Sequence, residues 1–121
     1  MSVPPRLPLL LWPMRGNSMA PALLDGDTLY LTPAPGGVFV GEVALVLVDR
    51  GFVVHRVEEA SPTRLRTRGD ANIQADPPVD PSRVFYRVAA VGRGGRVVAV
   101  PDARPGWRLR LRRWRGGAAV P

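Results

Sequence analysis

The chain contains three residue types that together can cleave a peptide bond. Ser18 lies in a turn-rich segment, His55 is the only histidine, and Asp70 and Asp76 lie in a polar loop. A serine hydroxyl is a weak nucleophile until a neighbouring base takes its proton. Histidine suits that proton transfer, and a carboxylate orients the imidazole and stabilises its charged form. These residue types permit nucleophilic catalysis, but one by one they are more typical of a capping serine and a hydrogen-bonded core histidine.

The composition excludes several other kinds of chemistry. The sequence has no cysteine and no lysine, so all 17 of its basic residues are arginine. Disulfides, thiolate nucleophiles and cysteine-based zinc sites are therefore impossible, and so is Schiff-base chemistry on a lysine. A single histidine also excludes a multi-histidine metal site. The sequence predicts no metal and no cofactor.

Five short segments occur in an order that resembles a known enzyme family. They read GNSMAP at 16–21, DGD at 25–27, VGEV at 40–43, VHRV at 54–57 and TRGDAN at 67–72. Together they resemble the boxes of the signal peptidase I superfamily of serine endopeptidases, which includes the LexA-type self-cleaving repressors. The resemblance covers about two-thirds of the chain, from Gly16 to Gly92. It implies a serine endopeptidase.

The absence of lysine selects one branch of that superfamily. The bacterial branch and the LexA-type proteins use a Ser–Lys dyad, which this chain cannot form. The branch of the endoplasmic reticulum, archaea and some Gram-positive bacteria has histidine at the lysine position. The resemblance then implies Ser18 as the nucleophile, His55 as the general base and Asp76 as its carboxylate partner. Asp70 is the second choice for orienting the histidine, and Asp80 is the third.

Residues around the serine have supporting roles in this interpretation. Met19 and Pro21 are expected to shape the turn and the wall of the pocket. The backbone N–H of Ser18 is the expected oxyanion donor, and Asn17 is one candidate for a second donor. The acidic residues of segment 25–27 flank a glycine and are interpreted as turn residues.

The fold predicted for the chain is mainly β, a small coiled-sheet or barrel-like domain of the LexA/signal peptidase type. Short β-branched runs alternate with glycine- and proline-rich turns, and no helical period is visible before the C-terminal tail. We divide the chain into a Pro-rich apolar segment at 1–15 without regular structure, a peptidase-like β domain at 16–103, and an Arg/Trp-rich tail at 104–121. The predicted strands are Thr28–Thr32, Glu42–Asp49, Phe52–Val57, an exposed strand at Arg64–Arg68, Tyr86–Val91 and Arg96–Val100.

The charge is concentrated in the tail. The net charge is +7, and residues 104–115 contain six arginines and no acid. The rest of the chain contains 11 arginines and 10 acids, so it is nearly neutral. A near-neutral body does not favour nucleic acid as a partner. No stretch is long enough to span a bilayer, and no secretion signal or membrane anchor is recognisable, so the expected location is cytoplasmic. Leu9–Trp12 and the tail offer a peripheral membrane contact, and a tail packed on the body is the alternative.

The sequence thus predicts a serine endopeptidase that cleaves a peptide or a leader-bearing precursor. The resemblance implies small residues before the cleaved bond. The alternative is a non-catalytic binding module. That module would be either a degenerate peptidase fold or a domain that binds nucleic acid through its Arg/Trp tail.

Overall fold

One antiparallel sheet of seven strands forms the molecule in this computed structural model, which describes residues 10–35 and 37–103. The prediction of a mainly β fold is confirmed, and the sheet is not closed into a barrel. A short 3-10 helix at Pro81–Arg83 precedes the sixth strand. The strands are β1 (Leu10–Pro13), β2 (Thr28–Pro33), β3 (Val43–Val48), β4 (Gly51–Ala60), β5 (Leu65–Arg68), β6 (Val84–Arg93) and β7 (Arg96–Val98).

Strand β6 joins the two halves of the sheet. The strand order is β1-β2-β6-β3-β4-β5, and β7 also pairs with β6. Strand β6 pairs with β2 along most of its length. Strand β3 pairs with the first part of β6, and β7 pairs with its last part. Register shifts interrupt three of these ladders, those of β2 with β6, β3 with β6 and β4 with β5. Such bulges bend the strands and increase their local twist.

The β3–β4 hairpin was predicted from its turn residues, and this prediction is confirmed. Val48 pairs with Gly51, so Asp49 and Arg50 form a two-residue turn. Gly51 has a φ of +119°, a backbone conformation that residues with a Cβ rarely adopt. The hairpin places His55 in the middle of β4, opposite Ala44 of β3.

Two local predictions are wrong. Residues 1–15 were expected to lack regular structure, but β1 pairs with β2 through contacts such as Leu11 opposite Tyr30. The alternation of charge at Arg64–Arg68 was interpreted as an exposed strand, yet β5 is mostly buried. Its Arg68 is buried because an acidic side chain from β4 faces it, a pairing that the local pattern does not reveal.

The core lies on both faces of β3. Val43 and Leu45 belong to one buried apolar cluster, and Ala44 and Val46 belong to another. Successive side chains of a strand point to opposite faces, so both faces of this strand are covered. A strand buried on both faces gives the neighbouring β4, which carries His55, a rigid support.

The tail at 104–121 and Leu9 lie outside the described residues, and so do the predictions made for them. Within 10–35 and 37–103, the structure contains no helix that is long and apolar enough to cross a membrane.

Candidate active site

The side chains of Ser18, His55 and Asp76 form one hydrogen-bonded chain. The Nε2 atom of His55 lies 3.1 Å from the Ser18 hydroxyl oxygen, and its Nδ1 atom lies 2.6 Å from Oδ2 of Asp76. Ser18 precedes β2, His55 lies on β4, and Asp76 lies in the loop after β5. Three separate segments of sequence therefore contribute one side chain each to a single site.

The carboxylate of Asp76 determines which nitrogen of His55 carries the proton. Burial alone would raise the pKa of Asp76, but hydrogen bonds from His55 and Thr67 outweigh burial and hold this pKa below its usual value. An ionised carboxylate only accepts hydrogen bonds, so Nδ1 of His55 donates to it. Nε2 of the neutral imidazole is then an acceptor, and it faces the Ser18 hydroxyl.

Thr67 fixes the position of Asp76 from the end of β5. Its hydroxyl donates to Oδ2 of Asp76 at 2.6 Å, and its carbonyl accepts from the Asp76 backbone N–H at 2.8 Å. Thr67 is itself buried. Both the side chain and the backbone of Asp76 are thus hydrogen-bonded to β5, the strand next to the one that carries His55.

Ser18 lies in a tight turn in the segment that connects β1 to β2. The Gly16 N–H donates to Asp25 at 2.8 Å, and the Ala20 N–H donates to the Asn17 carbonyl at 3.1 Å. From the other side, the Ala71 N–H donates to the Ser18 carbonyl at 2.9 Å. The serine backbone is therefore held from within its turn and from the loop that carries Asp76.

The close approach of that loop to Ser18 requires a glycine at position 69. A Cβ atom on Gly69 would lie 2.5 Å from the Ser18 carbonyl oxygen and 2.7 Å from the Asn72 side-chain nitrogen. Both distances are shorter than van der Waals contact allows. Only a residue without a side chain permits the Ala71 to Ser18 hydrogen bond.

Asp70 pairs with Arg56 rather than with His55. Both carboxylate oxygens of Asp70 accept from the Arg56 guanidinium at 2.9 Å, and both side chains are buried. Arg56 also donates to the carbonyls of Gly41 and Pro101. Because successive residues of β4 face opposite sides, His55 and Arg56 reach different carboxylates. Asp70 anchors the loop next to the site, and Asp76 is the carboxylate that contacts the histidine.

A second buried arginine holds the other part of the same loop. The Nε atom of Arg68 lies 2.6 Å from Oε1 of Glu58, an ion-pair contact outside hydrogen-bond geometry, and a further nitrogen donates to Oε2 at 3.4 Å. Arg68 also donates to the carbonyl of Ile73. Glu58 reaches this position because it is the extra residue of the bulge between β4 and β5. The pair links β4 and β5 to the segment between Asn72 and Asp76.

The remaining predicted residues of the described part form no hydrogen bond with His55 and line neither depression beside it. Met19 is fully buried in the core, and its sulfur accepts from the Asp70 N–H at 3.4 Å. Pro21 and Asn17 are exposed, and neither Met19 nor Pro21 lines the depression beside Ser18. Asp80 accepts from the Ser82 N–H at the start of the 3-10 helix.

Two adjoining depressions flank the hydrogen-bonded chain. The smaller, of about 330 Å³, contains Ser18 and His55 and is walled by Trp12 and Phe52. The larger, of about 750 Å³, follows the loop at 71–79 and includes Asp76. Arg50, Val53 and Asn72 line both of them. Because they share these residues, the depressions form one extended cleft, with Ser18 in its smaller part.

Sequence reasoning gave no role to Thr67, Asn72 or Arg50. The first two belong to the TRGDAN segment, so their nearness to the site follows from the segment that also contains Gly69 and Asp70. Arg50 reaches the cleft because the β3–β4 turn lies beside it, and the sequence carries no signal for that placement.

Comparison with known proteins adds no further assignment. No model of a protein family matches the chain, and no curated protein matches it significantly. Among the described residues, no group of three or more His, Asp and Glu side chains is arranged to hold a metal ion. What this site can do must therefore be argued from its own geometry.

Proposed function

We propose that the protein is a serine endopeptidase in which Ser18, His55 and Asp76 act as nucleophile, general base and orienting carboxylate. The observation that carries the proposal is the unbroken chain from hydroxyl to imidazole to carboxylate, at 3.1 and 2.6 Å. The family resemblance of the sequence segments supports the same roles. Each partner holds the next in the protonation state that nucleophilic catalysis needs.

In the first half of the reaction, the Ser18 oxygen attacks the carbonyl carbon of the scissile peptide bond while Nε2 of His55 takes the hydroxyl proton. The carbonyl oxygen becomes an oxyanion, and Asp76 stabilises the imidazolium. The tetrahedral intermediate then collapses, the C–N bond breaks, and the imidazolium gives its proton to the departing amine. Ser18 is left as an ester of the acyl part of the substrate.

In the second half, a water molecule attacks that ester. His55 takes a proton from the water as the new C–O bond forms, and it returns the proton to the Ser18 oxygen when the ester bond breaks. The products are a carboxylic acid and the free enzyme. The backbone N–H of Ser18 is the proposed oxyanion donor, and such a donor is worth about 2.7–4 kcal/mol in serine proteases.

The proposed substrate is a peptide or protein segment bound in extended form along the cleft. The family resemblance adds the expectation of small residues before the cleaved bond. The exposed side chains of Phe52 and Phe85, which pack edge to face, also support a peripheral contact with a membrane surface next to the smaller depression.

A fluorophosphonate probe tests the proposal without knowledge of the substrate, because it labels only serines that a neighbouring base activates. We expect labelling of Ser18, located by mass spectrometry. Ser18→Ala removes it, and His55→Ala lowers its rate strongly with the fold retained by circular dichroism. Ser82→Ala, an exposed serine outside the cleft, is the matched control and labels as the parent does. Equal labelling of the His55→Ala variant and the parent would contradict the proposed base.

The Asp76→Asn variant tests the carboxylate. The wrong imidazole tautomer and the lost charge are expected to slow labelling on the order of 10³–10⁴-fold, as in other serine proteases. Because the pKa of Asp76 lies below its usual value, this carboxylate stays ionised across the neutral range. Protonation of Asp76 should therefore not limit the labelling rate of the parent anywhere in the neutral range. Asp80→Asn is the control, and an unchanged rate in Asp76→Asn would remove Asp76 from the mechanism.

A further inference from the structure

The two parts of the cleft differ in charge. Among the described residues, the smaller depression is lined by Arg15 and Arg50 and by no acidic side chain, whereas the larger is lined by Asp49 and Asp76 and by one arginine, Arg50. A substrate that spans the cleft therefore meets a positive region beside Ser18 and a region rich in carboxylates further along.

Neither arginine of the smaller depression is neutralised by a partner. Within the part of the chain that the structure describes, Arg15 and Arg50 form no hydrogen bond and no ion pair, although Arg50 lies close enough to Asp76 to act on it electrostatically. Arg56, Arg68 and Arg93, in contrast, each bind a carboxylate. Two unpaired guanidinium groups next to a nucleophile provide a recognition element for an anionic group.

The apolar wall of the same depression restricts what that anion can be attached to. Trp12 and Phe52 pack edge to face, with ring centroids 5.7 Å apart, and the buried Val54 also lines the depression. A concave space of about 330 Å³ holds one or two side chains. Its shape fits a side chain inserted from an extended peptide better than it fits the flat surface of a membrane.

We propose that the substrate carries an acidic side chain, Asp or Glu, close to the scissile bond, on the side of that bond that enters the smaller depression. Arg15 and Arg50 select it, and Trp12 and Phe52 contact its neighbours. This proposal rests on the proposed endopeptidase function and adds the substrate class. Arg15 and Arg50 are specificity residues, and they take no part in the proton transfers.

A peptide mixture obtained by digesting a whole proteome tests this preference. The full chain is incubated with the mixture, Ser18→Ala serves as the blank, and new termini are identified by mass spectrometry. We expect Asp and Glu to be enriched within three residues of the cleaved bonds. Exposed ion pairs change an equilibrium by roughly two- to fivefold each, so an enrichment of that order is expected.

The double variant Arg15→Glu/Arg50→Glu should reverse the preference toward Lys and Arg among the bonds that it still cleaves. The double variant Arg83→Glu/Arg96→Glu changes the net charge equally at exposed positions outside the smaller depression, and its preference should remain acidic. Binding of fluorescent peptides that differ only in Glu or Gln to the Ser18→Ala protein gives a second readout that needs no cleavage.

The outcomes are distinguishable. Ser18-dependent cleavage without acidic enrichment, or with enrichment that survives the Arg15→Glu/Arg50→Glu change, overturns the acidic preference and leaves the endopeptidase standing. No Ser18-dependent cleavage and no labelling of Ser18 overturn the proposed function and this inference with it. If the two arginines instead govern binding to phosphatidylglycerol vesicles and leave the cleavage pattern unchanged, they serve a membrane contact and the inference is wrong.

Discussion

At Gly69, the loop that carries Asp76 touches the backbone of Ser18, so a single added methyl group tests how closely the site must be held. In Gly69→Ala the new Cβ would lie 2.5 Å from the Ser18 carbonyl oxygen and 3.0 Å from the Ser18 Cβ. Backbone must move to relieve that contact. Displacements of about 1 Å in an active site cost on the order of 10²-fold in rate, and we expect that loss in labelling or cleavage.

Gly94→Ala separates this effect from a general loss of stability. Gly94 has a φ of +59° and open space around its missing Cβ, and it lies in the β6–β7 turn. The substitution strains the backbone by about 1–2 kcal/mol and should leave activity unchanged. Urea unfolding gives the stability of both variants, and the labelling rate of Ser18 gives their activity. If Gly69→Ala retains full activity, the loop does not constrain the nucleophile.

At this scale the sequence predicts residue types but not contacts. His55 is the only histidine, whereas the choice of Ser18 among four serines and of Asp76 among the aspartates follows from the family resemblance. Choosing between Asp70 and Asp76 needs the structure, because Arg56 faces one of them and His55 faces the other. The sequence does not reveal which of two adjacent strand residues meets which carboxylate when the partner loop is irregular.

Among the elements, the bulge of β4 brings Glu58 and Arg68 together under the active-site loop. Removing one member of a buried ion pair leaves an uncompensated charge, which costs about 3–5 kcal/mol. We expect that loss for Arg68→Met, measured by urea unfolding. An equal stability of Arg68→Met and the parent would show that this ion pair is dispensable.

The double variant Glu58→Leu/Arg68→Met separates stability from positioning. Apolar replacement of both partners removes the buried charges together, so much of the stability should return. The double variant still lacks the hydrogen bond that Arg68 donates to the Ile73 carbonyl. The segment that leads to Asp76 is therefore less constrained than in the parent. We therefore expect a recovered midpoint of unfolding but slow labelling of Ser18. Full activity in the double variant would assign Arg68 a purely stabilising role.

The same elements show where sequence patterns fail. The β3–β4 hairpin was predictable because its turn residues and β-branched runs are local signals. Strand β1 was missed because Pro13 and the prolines that precede the strand argue against it, although proline is tolerated in an edge strand such as this one. The burial of β5 was missed because an arginine reads as exposed unless its partner, here ten residues earlier on a bulge, is known.

At the scale of the whole molecule, the positive and negative charges of the described residues balance one another. Residues 10–103 contain as many acids as arginines, ten of each, and four of the arginines bind carboxylates across strands or loops. The sequence alone predicts this neutrality, but it does not predict the pairing. Because these arginines are paired, Arg15 and Arg50 are the charged residues that line the smaller depression, and Asp49 and Asp76 line the larger one with Arg50.

The pair of Asp27 and Arg93 connects this balance to the stability of the sheet as a function of pH. Asp27 lies just before β2 and is buried, and it accepts two hydrogen bonds from Arg93 at the end of β6 and one from the Leu24 N–H. The Arg93 hydrogen bonds lower the pKa of Asp27. A lowered pKa in the folded state means that this pair stabilises the protein above the unfolded-state pKa, near pH 4, and that the stabilisation is lost as the pH falls further.

Asp27→Asn should therefore be less stable than the parent at pH 7 by about 1–2 kcal/mol, a modest value because the Arg93 side chain is 42% exposed and water can replace its partner. The difference should shrink as the pH falls below about 4, because the parent carboxylate then becomes neutral as well. Urea unfolding at pH 7 and at pH 3 measures both values.

Asp49→Asn, which changes an exposed aspartate in the β3–β4 turn, is the control and should differ little from the parent at either pH. A stability gap between Asp27→Asn and the parent that is as large at pH 3 as at pH 7 would mean that Asp27 acts through its shape and hydrogen bonds to the turn rather than through its charge.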